Sequence, residues 1–264
     1  MSEPAVDAAA ARQRARNAIL DHLRPDAILD RYETAGGGEI LSGKFASPES
    51  SAALAANAFG LFLDRPGLLT LPAPMLGAAR AVTLEAELRF PWSGGRHPWL
   101  DVAIVTDDAL IGVESKRFEP FRDKKRVALS EAYWRPVWGE RMGAFERMRD
   151  HLASDERRYA YLDAAQLVKH AFGLRTQAQK QGNRAALLYL YAEPKSYPDG
   201  RPVPELAILQ HRREIEDFAG AVARTDQDVA FFTLSYRVLL ESWMTSQSDA
   251  LVLHATAMLR RFDV

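Results

Sequence analysis

Residues 184–193, RAALLYLYAE, restrict the fold more than any other stretch of the chain. The run is near-continuously apolar, too long for a turn and too uniform for a strand with one wet face. It reads as a central strand buried on both faces, which requires helices on both sides of its sheet. Three strand candidates precede it. Residues 81–90, AVTLEAELRF, alternate, with Val82, Leu84, Ala86, Leu88 and Phe90 on one face and Thr83, Glu85, Glu87 and Arg89 on the other. Residues 99–106, WLDVAIVT, are β-branched, Asp107-Asp108 turns the chain, and 109–116, ALIGVESK, form the third strand. An amphipathic helix is expected over 157–178. The order helix, three strands, helix, strand predicts an α/β sandwich with a mixed sheet flanked by helices.

The flanks extend this core. Residues 7–33, rich in Ala and Arg, read as a helical lead-in broken near Pro25. Ser47-Pro48-Glu49 reads as a helix start, with a Ser cap, Pro at the first position and an acid in the first turn; that helix is expected to reach about Leu63. Residues 117–157, dense in charge and aromatics, read as a partly helical insertion. Two further strand candidates, ELAILQ (205–210) and VAFFTLSY (229–236), and a helix DALVLHATAMLRRF lie in a C-terminal extension over 203–264. The chain is expected to be one domain over 1–264.

The net charge of −1 announces no polyanion partner, so nucleic-acid binding would need a local basic surface. With no cysteine, thiolate metal sites and disulfides are excluded. The N-terminus is unlike a signal peptide and no apolar run approaches a membrane span, so a cytoplasmic protein without membrane contact is expected.

Several motifs fail on their own chemistry. GEILSGKF (38–45) has the glycines and lysine of a phosphate-binding loop, but Phe45 stands where a hydroxyl should meet Mg²⁺ and no buried strand leads into it. The six histidines are scattered, and no Gly-x-Ser-x-Gly elbow exists.

Glu114-Ser115-Lys116 ends the third strand with a carboxylate and an ammonium on one face. The tripeptide alone means little, since roughly half a match is expected by chance, and Glu193-Pro194-Lys195 is a second match whose proline must end a strand. Context separates the two. Asp101 lies near the start of the neighbouring strand, and a hairpin pairing would bring the Asp101 and Glu114 carboxylates within reach of one cation. Hard oxygen donors of this kind suit Mg²⁺, with the Ser115 carbonyl as a further ligand. The cation would acidify a bound water, while Lys116 would orient that water and offset charge growing on a phosphate.

Asp101, the apolar strand, Glu114-Ser115-Lys116 and the αβββαβ order resemble the PD-(D/E)XK nuclease superfamily, the restriction-endonuclease-like fold, over about residues 47–195. GGRHPWLDVAIVTDDALIGVESKRFEPF and AAQLVKHAFGL are similar to a bacterial branch of that superfamily. The proline departs from the pattern: Pro98 stands three residues before Asp101. The resemblance implies Mg²⁺-dependent hydrolysis of nucleic-acid phosphodiesters, DNA in first place, with Mn²⁺ able to substitute. It also implies a further acid on the first helix or strand, for which Glu87 is the candidate among Glu49, Glu85 and Glu87. A polar residue is expected on the following helix, where Asp163, Gln166, Lys169 and His170 form a stripe; Gln166 and Lys169 are the candidates, against the plain reading of a solvated face.

Lys124, Lys125 and Arg126 lie in the densest basic segment, KRFEPFRDKKR (116–126), and are the expected contacts to nucleic acid. Cutting both strands of a duplex calls for two sites, which a homodimer would supply. The alternative is a catalytically inactive nucleic-acid-binding or protein-interaction module on the same fold.

Overall fold

A computed structural model of the chain describes residues 3–72, 77–92, 95, 97–122, 129–154, 159–223 and 228–264. The chain opens with α1 (Glu3–Asn17), α2 (Pro25–Thr34) and α3 (Ser51–Gly60), then forms β1 (Ala81–Glu87), β2 (Trp99–Val105) and β3 (Ala109–Lys116). It continues through α4 (Glu119–Arg122), α5 (Gly143–Ala153), α6 (Ala164–Gln181) and β4 (Arg184–Tyr191). The last elements are α7 (Glu205–Val222), β5 (Val229–Ser235), α8 (Tyr236–Met244) and α9 (Asp249–Arg261). The five strands lie in chain order in one mixed sheet. β1, β2 and β3 are antiparallel, and β4 and β5 join in parallel, with α6 crossing from β3 to β4. No helix among the described residues is long and apolar enough to cross a membrane.

The central strand behaves as its composition predicts. In β4, Ala186, Leu188 and Leu190 enter a core with α1, α2, α3, α8 and α9. Leu187 and Tyr189 enter a second core with α5, α6 and α7 on the opposite face. Each fully buried leucine contributes about 1.5–3 kcal/mol by removal from water, and this two-sided burial holds the layers together. β5, from the C-terminal extension, completes the sheet, and α8 and α9 complete the first core.

Three expectations are corrected. Residues 205–210 are not a strand but the start of α7. Ala207, His211, Ile215, Phe218 and Val222 are buried at helical spacing, while Leu206 is 80% exposed, so the short apolar run straddles two faces of a helix. The helix expected from Ser47 begins one turn later. Ser47 to Ser50 closes as a turn, with the Ser50 N–H on the Ser47 carbonyl at 3.0 Å, and the cap passes to Ser50, whose Oγ accepts from the Ala53 N–H at 3.0 Å. The helix expected from 157 begins at Ala164, with Asp163 as its cap.

β1 also breaks its alternation. Val82 and Leu84 join the first core, but Leu88 and Phe90 join the second. Between them Glu85 has φ +50°, the left-handed region that side chains other than Gly rarely adopt. One such residue rotates the strand and moves the following side chains to the other face. β2 divides at the matching place, with Leu100 in the second core and Val102 in the first.

Candidate active site

The rungs Leu84↔Val102 and Ala86↔Leu100 put Glu85 opposite Asp101, so an acid stands at the break in each strand. On the other side of β2, pairing with β3 ends at Val102↔Val113. Continued one hydrogen-bonded rung, it would set Leu100 across from Ser115. Instead the Ser115 N–H donates to Asp101 Oδ2 at 2.7 Å. A strand residue turns its N–H and C=O toward the same neighbour, so the Ser115 carbonyl also faces the β2 side. The Ser115 hydroxyl is engaged elsewhere, 2.7 Å from the Tyr236 hydroxyl.

Glu114 and Lys116 stand on the opposite side of β3 from Ser115. Lys116 Nζ lies 2.5 Å from Glu114 Oε1, and the Glu114 side chain is only 2% exposed. The second oxygen, Oε2, is 3.2 Å from Nδ1 of His170 on α6. Burial first, then Lys116 and Lys169, lower His170 to about 3, so this contact joins a carboxylate to a neutral ring rather than forming an ion pair. Among the described residues, His170 Nδ1 makes no hydrogen bond.

Asp101 and Glu85 face a cleft of about 530 Å³ shared with Glu39, Lys44, Glu49 and Glu119. Glu119 accepts from the Arg117 N–H at 3.0 Å and from the Ser51 hydroxyl. Burial opposes its charge, but Lys116, Ser51 and the backbone donors prevail and hold its pKa below the ordinary value. The other acids shift upward. Asp101 is raised well above the usual carboxylate range by burial and by Glu114, against the opposing pull of Lys116 and Ser115. Burial likewise raises Glu114 despite Lys116. Burial, Asp101, Glu39 and Glu114 push Glu85 up to about 8. Lys116 moves the other way: burial works against its charge, and Glu114, Asp101 and Glu119 outweigh it and raise the pKa.

Among the described residues, no three acidic or histidine side chains surround a common point as metal ligands. The donor chemistry nevertheless fits a hard divalent cation. Asp101, Glu85 and Glu114 are carboxylates whose charge the surroundings penalise, and Lys116 answers only part of the deficit. Each carboxylate offers about four lone-pair sites, so the contacts of Asp101 to Ser115 and of Glu114 to Lys116 leave coordination capacity.

At the end of the β2–β3 hairpin the structure joins Asp101 to the Ser115 backbone and Glu114 to Lys116. The other candidates lie apart. Glu87 is ion-paired to Arg89 at 2.9 Å and does not line the cleft. Glu85, on the same face in a uniform alternation, lines the cleft instead, because β1 breaks at Glu85 itself. On α6 the backbone N–H of Gln166 is held by the Asp163 cap at 2.9 Å. Lys169 Nζ stands 6.0 Å from the centre of the Tyr133 ring. The member of the stripe that meets Glu114 is His170, one turn beyond Gln166. Glu119 was hidden inside a segment read for its basic charge. Lys124, Lys125 and Arg126 lie outside the described residues.

The second match, Glu193-Pro194-Lys195, behaves differently. Glu193 is bound by Arg212 at 2.6 Å, and the Lys195 backbone N–H donates to Asp263.

A mixed sheet covered by helices on both faces, with acids and a lysine at the end of its β2–β3 hairpin, is that of a restriction-endonuclease-like α/β protein. Residues 9–260 match the family described as restriction endonuclease associating with ARP, and the chain belongs to that family. Membership points to nuclease-type chemistry. No curated protein and no solved structure matches the chain.

Proposed function

We propose that the chain is a divalent-metal-dependent nuclease that hydrolyses DNA phosphodiester bonds at the open end of the β2–β3 hairpin. The observation that carries this reading is the convergence of Asp101, Glu114 and Lys116 where the two strands part. Asp101, Glu114 and the Ser115 carbonyl would hold the cation, with Glu85, across from Asp101, as the further acid. Mg²⁺, or Mn²⁺ in its place, would supply an acidified water and charge stabilisation at the scissile phosphate.

The protein's own groups do the rest. Lys116, kept protonated by Glu114, Asp101 and Glu119, orients the attacking water and offsets negative charge developing on the phosphate. His170 backs Glu114 with a neutral ring and so adds no competing charge. The carboxylates stay close because Ser115 fixes Asp101 through the backbone. Water adds across the phosphorus–oxygen bond, leaving a phosphate monoester and a free hydroxyl.

The test is incubation of the purified chain with plasmid and with single-stranded DNA, in Mg²⁺, Mn²⁺ or EDTA. Cleavage in either metal and none in EDTA is expected. DNA binding without cleavage in any cation would favour a catalytically inactive binding module instead.

A further inference from the structure

The loop that fails as a nucleotide-binding motif forms one wall of the cleft. Gly37, Glu39 and Lys44 face the space that Asp101 and Glu85 face. Gly38 (φ +63°) and Gly43 (φ +74°) supply the left-handed turns that fold the segment back on itself. The Phe45 N–H donates to the Glu39 carbonyl at 3.1 Å, closing the loop, and the Ser47 N–H donates to the Lys44 carbonyl at 3.0 Å. Phe45 is fully buried, edge-on to Tyr32 with ring centres 4.8 Å apart, and the Tyr32 hydroxyl donates to the Ala52 carbonyl in the first turn of α3. The aromatic that spoils the nucleotide motif thus anchors the loop against the helix that lines the same cleft.

The result is a fixed backbone carrying an exposed ammonium. Lys44 makes no ion pair among the described residues, whereas Arg122, the other cation lining the cleft, is ion-paired to Glu49. An exposed lysine with no ion pair stands on a pinned turn in the wall of the cleft that Asp101 and Glu85 line, and within the protein its charge acts on Glu39. It has much to hold if a polyanionic strand lies in the cleft, where each phosphate carries a charge and the acids are neutralised by a cation.

We infer that Lys44 is a phosphate-binding residue, holding a backbone phosphate of the DNA strand that lies in the cleft beside the scissile one. This rests on the nuclease reading above and adds to it the wall against which the strand is registered. The Gly-rich loop then serves as a strand guide, and no nucleoside triphosphate is involved.

The test is binding of a fluorescein-labelled 20-base-pair DNA duplex to the full chain in Ca²⁺ buffer, measured by anisotropy across a salt series. Wild type, Lys44→Ala and Lys44→Arg are compared. Loss of one phosphate contact lowers the magnitude of the log–log salt slope by about 0.9. Lys44→Ala is expected to show that reduction and weaker low-salt affinity, and Lys44→Arg to retain the wild-type slope. A role confined to balancing Glu39 would move stability and leave the slope alone. Wild-type slope and affinity in a folded Lys44→Ala protein would overturn the assignment while leaving the nuclease reading intact. A wild-type chain that neither binds nor cuts DNA would remove the nuclease reading itself, and the Lys44 role with it.

Discussion

The Ser115 N–H donates to Asp101 Oδ2 at 2.7 Å, so a side chain takes the place of a sheet rung where β2 and β3 separate. Asp101 is thereby both a charge its surroundings penalise and a structural acceptor, and two substitutions separate the roles. Asp101→Asn keeps an acceptor and removes a penalised charge, so without metal it should melt at or above the wild-type temperature. Asp101→Ala leaves the N–H unsatisfied and should cost about 1–3 kcal/mol. Both should lose cleavage. Thermal melts in EDTA beside cleavage assays check the pair, and an Asp101→Asn protein less stable than Asp101→Ala would contradict it.

Lys116 is the cation nearest the buried Glu114 carboxylate, at 2.5 Å. Lys116→Ala should destabilise the fold at neutral pH by about 3–5 kcal/mol, the cost of breaking a buried pair, unless Glu114 takes up a proton. Its pKa is already raised by burial, and losing Lys116 raises it further. The stability deficit should therefore shrink as pH falls and Glu114 becomes protonated. Urea denaturation across pH reads this directly, and a deficit independent of pH would argue against the pair.

Glu85 supplies a second pH signal. Its pKa in the folded chain is about 8, raised from 4.5 by burial and by Asp101, Glu39 and Glu114. The folded state thus holds a proton that the unfolded state releases, and stability falls as pH rises from about 4.5 to about 8. Glu85→Gln should relieve this, gaining roughly 1–2 kcal/mol above pH 8 in EDTA and nothing measurable near pH 4. A stability difference with no trend across that window would rule out the penalised charge at Glu85.

Gly112 tests the packing that carries the site. A Cβ there would stand 2.6 Å from Leu100 Cδ1 and 2.7 Å from Leu174 Cδ1, and both leucines are fully buried. Gly112→Ala should cost about 1–3 kcal/mol by overpacking, two residues before Glu114. Chemical denaturation measures it, and a neutral substitution would mean that the leucines can move aside.

Much of this arrangement is legible in the sequence. The buried strand 184–191, the β2–β3 hairpin and the strand-end Asp101, Glu114 and Lys116 follow from apolar patterning and turn residues, which are local. What escaped is set by tertiary contact. The break at Glu85 is one backbone dihedral, invisible to a period-two pattern, and it exchanges Glu87 for Glu85 at the cleft. Gln166 and His170 share a helix face, and it is His170, one turn further along α6, that meets Glu114, a choice set by how the helix packs on the sheet. Residues 205–210 misled because six residues are too few to distinguish a helix face from a strand.

Whether these residues form a metal-dependent nuclease site is decided by nicking of supercoiled plasmid by wild type, Asp101→Ala and Lys116→Ala, each verified as folded, in Mg²⁺ and in EDTA. Metal-dependent nicking by wild type is expected, with a rate lower by at least about 100-fold in each variant. Undiminished nicking by either folded variant, or wild-type nicking that persists in EDTA, would contradict it.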